Sequence, residues 1–215
     1  VLGITGEYYD RGRSNRSDPG SMRIIGDTKS KNETVYLNGE FPVGPGKLYL
    51  TAGSQTRDAS SAAWARGGIG SDDIPSRNSA AMYPDGFVPF INGDIDDRYG
   101  IIGYRTRIGE WASDFSQTYG YNRIRYNISH TLNASIANLD LANGGKGVSP
   151  SQFDAGGFSF RQLTTNADFS RFYDDILGGL NAAFGFEYRK ENYQIFAGEP
   201  GSYNDVDGLG FGGNA

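Results

Sequence analysis

The segment from Leu180 to Glu191 constrains the fold more than any other part of the chain, because its apolar residues recur at every second position. The apolar positions are Leu180, Ala182, Phe184, Phe186 and Tyr188, and small or polar residues stand between them. This period of two predicts a β-strand with one apolar face and one polar face. A strand of a soluble β-sandwich would show the same pattern, so the rest of the chain must decide between the fold classes.

Similar patterns predict seven strands, whose approximate ranges are 2–9, 32–41, 47–57, 99–108, 111–128, 158–169 and 180–193. The connections between them are alternately long and short, and we expect another long loop after the seventh strand. Short turns at one end and long loops at the other are typical of bacterial outer-membrane barrels. A soluble meander has no reason to sort its loops in this way.

The sequence therefore predicts an all-β fold of antiparallel up-and-down strands. These would form a segment, about seven strands wide, of a large transmembrane β-barrel with short periplasmic turns and long extracellular loops. The predicted strands are long enough, since about 9–11 tilted residues cross the apolar layer of a membrane.

Composition excludes several other classes of protein. The chain has 215 residues, no cysteine, one histidine and a formal net charge of -5. A disulfide-stabilised domain, a cysteine-based site and a multi-histidine metal site are therefore excluded. The acidic net charge gives no support to nucleic-acid binding. No apolar run approaches the roughly 18–20 residues that a membrane-spanning helix needs.

Five charged residues fall on the polar faces of the predicted strands: Arg105, Arg107, Arg123, Arg125 and Glu187. On the lipid face of a barrel, an arginine near the middle of the membrane would cost about 2–4 kcal/mol. We therefore expect these side chains to face a water-filled or plugged lumen.

Two acidic runs, Asp94–Asp97 and Asp72–Asp73, have the hard oxygen ligands that calcium prefers. The spacing of an EF-hand is missing, so we interpret both as solvated loops and predict no metal site. Glu187 and Glu191 are a candidate carboxylate pair for glycoside hydrolysis, which needs two acids about 5–10 Å apart. Their spacing on a strand is roughly 13 Å, and Arg189 lies between them, so ion pairs explain them better.

No other motif indicates an enzyme. The run Gly144–Ser149 lacks the glycine and lysine order of a phosphate-binding loop. His130 has no serine motif near it in sequence that would suggest a catalytic triad. We therefore predict neither catalytic activity nor a cofactor.

The connection 58–96 is where we expect an external ligand to bind. The candidate residues are Trp64, Arg66, Arg77, Tyr83 and Phe87. Aromatic rings stack on sugar faces or flat chelates, and guanidinium groups hold anions. The alternative is that residues 83–87 form a turn held by its own aromatic rings.

Several motifs, in order along nearly the whole chain, resemble the β-barrel region of TonB-dependent outer-membrane receptors. They are Asn15-Arg16-Ser17, Tyr83 to Pro89, Trp111 to Asn122, Phe153 to Phe158 with Asn166 to Arg171, and Leu180 to Arg189. The resemblance implies a plugged barrel of 22 strands. It further implies that outside loops and the plug capture a substrate, and that the TonB complex of the inner membrane drives its release.

The resemblance also implies partners and a location. They are a small-molecule ligand (iron chelate, vitamin or oligosaccharide), the TonB complex acting through a plug region missing here, and the lipid of a Gram-negative outer membrane. The plug and most strands have no counterpart in this sequence, so we expect residues 1–215 to be a partial barrel domain. A passive porin-type barrel and a soluble secreted β-sandwich with a binding or adhesive role are the alternatives.

Overall fold

The described part of the chain, residues 1–209 of a computed structural model, forms one antiparallel sheet. Its strands are β1 Leu2–Arg11, β2 Lys29–Val43, β3 Gly46–Ala62, β4 Phe90–Ile108, β5 Trp111–Ser129, β6 Gln152–Tyr173 and β7 Leu180–Phe196. Each strand pairs with the next in chain order, and within the described residues the sheet is not closed. The predicted seven up-and-down strands are confirmed. The predicted last loop continues into residues 210–215, which lie outside the described residues.

The connections alternate in length, as predicted. Residues 44–45, 109–110 and 174–179 make the turns at one end of the sheet, whereas 12–28, 63–89 and 130–151 make the loops at the other. Gly44 and Gly109 begin the two tightest turns with φ values of 56° and 61°. Two-residue hairpins require such positive angles, which glycine adopts without strain. We call the two ends of the sheet the short-turn half and the long-loop half.

Most strands extend further into the long-loop half than the sequence predicts. The strand predicted to begin at Tyr99 begins at Phe90, so interpreting Asp94–Asp97 as a solvated loop is wrong. The reason is that these acids have partners across the sheet: Asp94 lies opposite Arg125 and Asp96 opposite Arg123. Opposite charges on neighbouring strands stabilise pairing.

A short helix, α1 (Ala134–Ala142), lies within the connection that follows β5, where the sequence predicts only a loop. Its N-cap is Asn133, whose side chain accepts hydrogen bonds from the backbone N–H groups of Ser135 and Ile136. A 3-10 turn at Pro200–Ser202 follows β7. Within residues 1–209, neither helical segment has the length and apolar character to cross a membrane.

The register assigns every strand residue to one of two faces. Directly opposed residues in antiparallel strands project to the same side, and successive residues alternate. We call face A the side that bears Phe184 and face B the side that bears Glu187. Their assignments follow from the continuous pairing of β1 through β7.

The prediction that five charged residues share a luminal face is wrong for two of them. Arg105 and Arg107 lie on face B with Glu187, whereas Arg123 and Arg125 lie on face A. The physical reason is that each face of β5 changes polarity about halfway along the strand. A rule that treats one face as polar along its whole length therefore fails for β5.

The packed core lies in the loops, since both faces of the sheet are largely uncovered. Phe87, Leu132 and Ala137 are buried together, and Met82 and Tyr83 pack against them. The connections 63–89 and 130–151 therefore fold as one unit at the end of the long-loop half.

Candidate functional site

The short-turn half of face A carries a continuous set of large apolar side chains, which we call the apolar belt. Its members are Leu2, Ile4, Val35, Leu37, Phe41, Leu48, Leu50, Ile102, Tyr104, Ile108, Trp111, Phe115, Tyr119, Leu163, Phe169, Leu180, Phe184, Phe186 and Tyr188. They come from all seven strands, and many are largely exposed, including Phe186 at 65%. Soluble monomers rarely expose so large a contiguous apolar surface. The belt is therefore an apolar surface that no described part of the chain covers.

The height of the belt can be estimated on β7. From Leu180 to Tyr188 there are eight residue steps, which at ~3.3 Å per residue span about 26 Å along the strand. At the tilt of roughly 40° that strands have in outer-membrane barrels, this length would correspond to a height of about 20 Å, against the ~25 Å apolar band of such barrels.

Above the belt, the long-loop half of face A is polar, and we call it the charged band. Its ionic residues are Asp10, Lys29, Lys31, Glu33, Asp58, Asp94, Asp96, Arg98, Arg123, Arg125, Arg161 and Lys190. The buried Asp96 carboxylate lies 2.7 Å from Nη2 of Arg98 and 3.8 Å from Nη2 of Arg123. The band is thus a network of paired charges, unlike the belt directly below it.

Tyrosines mark the boundary between the belt and the charged band. Tyr8, Tyr119, Tyr121 and Tyr188 are each the face A residue at or next to the change of polarity on their own strand. A tyrosine ring suits such a position because its body is apolar while its hydroxyl reaches water.

Face B has the opposite arrangement. Its short-turn half is polar: the Arg105 Nε lies 3.0 Å from the Asp114 carboxylate, and the Tyr49 hydroxyl donates to the same carboxylate at 2.8 Å. Its long-loop half carries an aromatic patch, which consists of Ile124, Tyr126, Phe158, Phe160, Tyr193 and Ile195. On β5, β6 and β7 the two faces therefore exchange polarity at the same level, whereas face B stays largely polar on β1 to β4.

Tyr83 and Phe87, two of the predicted ligand-binding residues, lie in the loop core. Their rings are stacked with centroids 4.2 Å apart, and Phe87 is only 3% exposed. The Tyr83 hydroxyl donates to the carbonyl of Thr131 at 3.1 Å, and burial raises the pKa of this phenol above its ordinary value. These contacts hold connections 63–89 and 130–151 together, and contact with a ligand stays a prediction for both residues.

The other three predicted residues lie nearer the surface. Trp64 is 65% exposed, and the Arg23 guanidinium covers its ring at 4.3 Å. Arg66 donates from Nη1 to the Trp64 carbonyl at 3.2 Å, while Arg77 pairs with Asp73 at 3.4 Å. Trp64 and Arg66 are thus brought together, Arg77 has a separate ion pair, and their role in binding also stays a prediction.

Sequence reasoning missed a polar network that joins two loops. The Asn133 side-chain amide donates to the carbonyls of Gly201 and Asn204 at 2.8 and 3.0 Å. The Ser135 hydroxyl donates to the Asn204 carbonyl at 3.1 Å. This network ties the start of α1 to the segment after β7. The capping pattern Asn133-Ala134-Ser135 was the available signal.

The carboxylate pair of β7 and the glycine-rich run before β6 form local ion pairs and hydrogen bonds. Arg189 lies 2.7 Å from Glu187 and 3.9 Å from Glu191, which confirms that these acids form ion pairs. The Asp140 carboxylate accepts hydrogen bonds from the N–H groups of Gly147 and Val148, so those donors of the glycine-rich run are engaged. Within residues 1–209, no three His, Cys, Asp or Glu side chains are grouped as metal ligands.

Comparison with known proteins found no matching family model, no matching curated protein and no matching solved structure.

Proposed function

We propose that this chain is part of the barrel of a TonB-dependent active transporter in the outer membrane of a Gram-negative bacterium, which binds and imports a scarce nutrient. The observation that carries the membrane part of the proposal is the apolar belt, which ends at a row of tyrosines below the charged band. In this arrangement the belt contacts lipid, the charged band lies in the headgroup region and above it, and face B lines the lumen.

The distribution of charge supports this placement. Arg123 and Arg125 are on the lipid-facing side, but they lie above the belt, where water and headgroups solvate them. The charges at the level of the belt, such as Arg105 and Asp114, are on face B, where a hydrated lumen solvates them. These charges therefore avoid the cost of about 2–4 kcal/mol that a cation pays at the middle of the lipid face.

The outer edges of β1 and β7 fit the same proposal. Unpaired backbone groups are not tolerated in lipid, so within a membrane both edges need neighbouring strands. Further strands of the barrel would supply them.

The active-transport part of the proposal is supported by the ordered resemblance to TonB-dependent receptors. Long loops above the membrane would capture the ligand, and a plug would couple its release to the TonB complex. A passive porin would share the belt and the loops but have no plug. A plug-coding region upstream of the codon for Val1 would favour the transporter, and its absence would favour the porin.

The membrane placement can be tested with the two tryptophans of the chain. Trp111 lies on face A in the belt, 5.2 Å from the ring of Phe184, whereas Trp64 lies in a long loop. Two variants, Trp64→Phe and Trp111→Phe, each leave one reporter. In vesicles that contain brominated lipid, we expect strong quenching of Trp111 fluorescence and little quenching of Trp64 fluorescence.

The control is iodide in the surrounding water, which should quench Trp64 fluorescence more strongly than Trp111 fluorescence. Equal quenching of both reporters by brominated lipid would contradict the placement. So would a chain that stays monomeric and fully folded in plain buffer and does not bind vesicles, which would favour the soluble β-sandwich.

A further inference from the structure

The aromatic patch of face B does not fit a lumen whose wall serves only to solvate charge. Tyr193 is 56% exposed, and its ring lies 5.9 Å from that of Phe158, at an interplanar angle of 36°. Tyr126 adds a third ring, 6.4 Å from Phe158. The described residues leave Tyr193 and Ile195 largely uncovered, so the patch presents an apolar platform on a face that is otherwise polar.

Planar polar groups continue the platform on the adjoining strands. Arg57 donates from Nε to Asn32 at 3.2 Å and from Nη2 to Gln55 at 3.4 Å. Asn122 donates to one carboxylate oxygen of Asp97 at 2.5 Å. These contacts fix the orientation of each group, while the second Asp97 oxygen and the Nη1 group of Arg57 have no partner among the described contacts.

The register places both kinds of group in one row across the sheet. Gln55 lies opposite Asp97, Asp97 opposite Asn122, Asn122 opposite Phe160, and Phe160 opposite Tyr193. Four inter-strand spacings of ~4.8 Å give the row a length of about 19 Å. A long row with hydrogen-bonding groups at one end and exposed rings at the other suits an extended, amphipathic ligand better than a compact one.

The charges in and beside the row decide between ligand classes. In and beside the row, Arg57 and Arg189 supply positive charges and Asp97, Glu191 and Glu7 supply negative ones, so this surface has no excess of positive charge. An anionic iron chelate would require an excess of positive charge around its site. A chain of neutral sugar rings requires none, since its hydroxyl groups bind amides, carboxylates and guanidinium groups while its C–H faces stack on aromatic rings.

We propose that the row from Gln55 to Tyr193 on face B binds a neutral oligosaccharide, which would be the nutrient that the transporter imports. This inference rests on the proposed function, because it takes face B as the wall of the lumen. The aromatic patch stacks on the sugar rings, and the pairs Arg57–Gln55 and Asn122–Asp97 bind hydroxyl groups.

The test uses the full 215-residue chain in micelles of lauryldimethylamine oxide, a detergent without a sugar headgroup. Maltohexaose, cellohexaose and xylohexaose are the neutral probes, and gallium tris-catecholate is the anionic probe. Saturation-transfer NMR measures binding of each. We expect transfer to at least one hexasaccharide and none to the catecholate complex. Binding of the catecholate complex alone, or of no probe, would overturn the proposal.

A matched pair of variants on β7 locates the site. Tyr193→Ala removes a ring from face B, and Tyr188→Ala removes an equally exposed ring, also 56%, from face A. We expect Tyr193→Ala to weaken hexasaccharide binding roughly three- to tenfold, whereas Tyr188→Ala leaves binding unchanged. Equal losses in the two variants would overturn the proposal.

A second variant, Arg57→Lys, keeps the charge but removes the planar fork. We expect weaker hexasaccharide binding from this variant as well, which gives an independent result if Tyr193→Ala alters the circular dichroism spectrum. Unchanged binding in Arg57→Lys would overturn the role of Arg57.

Together with the quenching experiment, the binding data distinguish a failure of this inference from a failure of the proposed function. Quenching of Trp111 by brominated lipid without sugar binding would leave the transporter in place and overturn the oligosaccharide site. Sugar binding without that quenching would support the site and remove the membrane placement.

Discussion

The two halves of the sheet use the same backbone pairing but bury apolar surface in different ways. In the short-turn half, large apolar side chains lie on face A, and no described part of the chain covers them. In the long-loop half, apolar side chains lie on face B or inside the loop core around Phe87. One continuous sheet can therefore present apolar side chains on different faces at its two ends, because alternation lets each face change polarity independently of strand pairing.

Among the substitutions that test this difference between the two halves, Phe87→Ala should have the largest effect on stability. Phe87 is packed inside the protein, and removal of such a ring typically costs about 3–5 kcal/mol. We expect faster hydrogen exchange in residues 63–89 and 130–151, with little change in β1 to β3. Hydrogen exchange measured by mass spectrometry on the chain in micelles tests this expectation.

The matched control is Phe184→Ala, which removes the same ring from the belt. Phe184 is 60% exposed, so its loss should leave exchange in the loops unchanged and weaken vesicle binding instead. If both variants affected the loops equally, the distinction between a protein core and a lipid-facing belt would be wrong.

The next largest effect tests whether the belt contacts lipid. Phe186→Arg places a cation within the belt on face A, where we expect a loss of about 2–4 kcal/mol in the free energy of folding into vesicles. Denaturant titration in the presence of vesicles measures this loss.

Gln194→Arg is the control for that variant, because it places the same cation on the same face of the same strand but within the charged band. We expect almost no change. A similar loss from both variants would mean that face A does not pass from lipid to water along β7.

Much of this fold could be predicted because period-two alternation is local. The ends of the strands could not be predicted in this way. The acidic run Asp94–Asp97 has the composition of a loop, and only the register shows that Arg123 and Arg125 lie opposite two of its acids. The exchange of polarity was visible in β5, where the apolar positions shift from odd numbers such as Phe115 to even numbers such as Ile124. It could be interpreted only once the register was known.

The candidate site was harder to predict than the fold. Composition and spacing pointed to the aromatic residues of a long loop, but two of them, Tyr83 and Phe87, pack against each other. The row that we propose as a ligand site draws on five strands, and Gln55 and Tyr193 meet in it only through pairing of the strands between them.

A smaller effect concerns the charged band. Asp96 is 5% exposed. Its carboxylate accepts two hydrogen bonds from the Arg98 guanidinium and lies 3.8 Å from Nη2 of Arg123. Asp96→Ala leaves these cations without their shared partner, and we expect a loss of about 1–3 kcal/mol in stability, measured by denaturant titration. The control is Asp94→Ala, an exposed acid on the same face, for which we expect a loss below about 1 kcal/mol. Equal losses would show that the band is only a solvated surface.

The smallest effect concerns the loops alone. Asn133→Ala removes the N-cap of α1, which is typically worth about 1 kcal/mol, together with two hydrogen bonds to the segment after β7. We expect faster hydrogen exchange in residues 134–142 and 200–204, while vesicle binding stays unchanged because the belt is untouched. Leu139→Ala is the control, since this side chain lies within the same helix, is 40% exposed and does not cap the helix. A loss of vesicle binding in Asn133→Ala would mean that the loop unit helps to hold the sheet in the membrane, and the two halves would then not be independent.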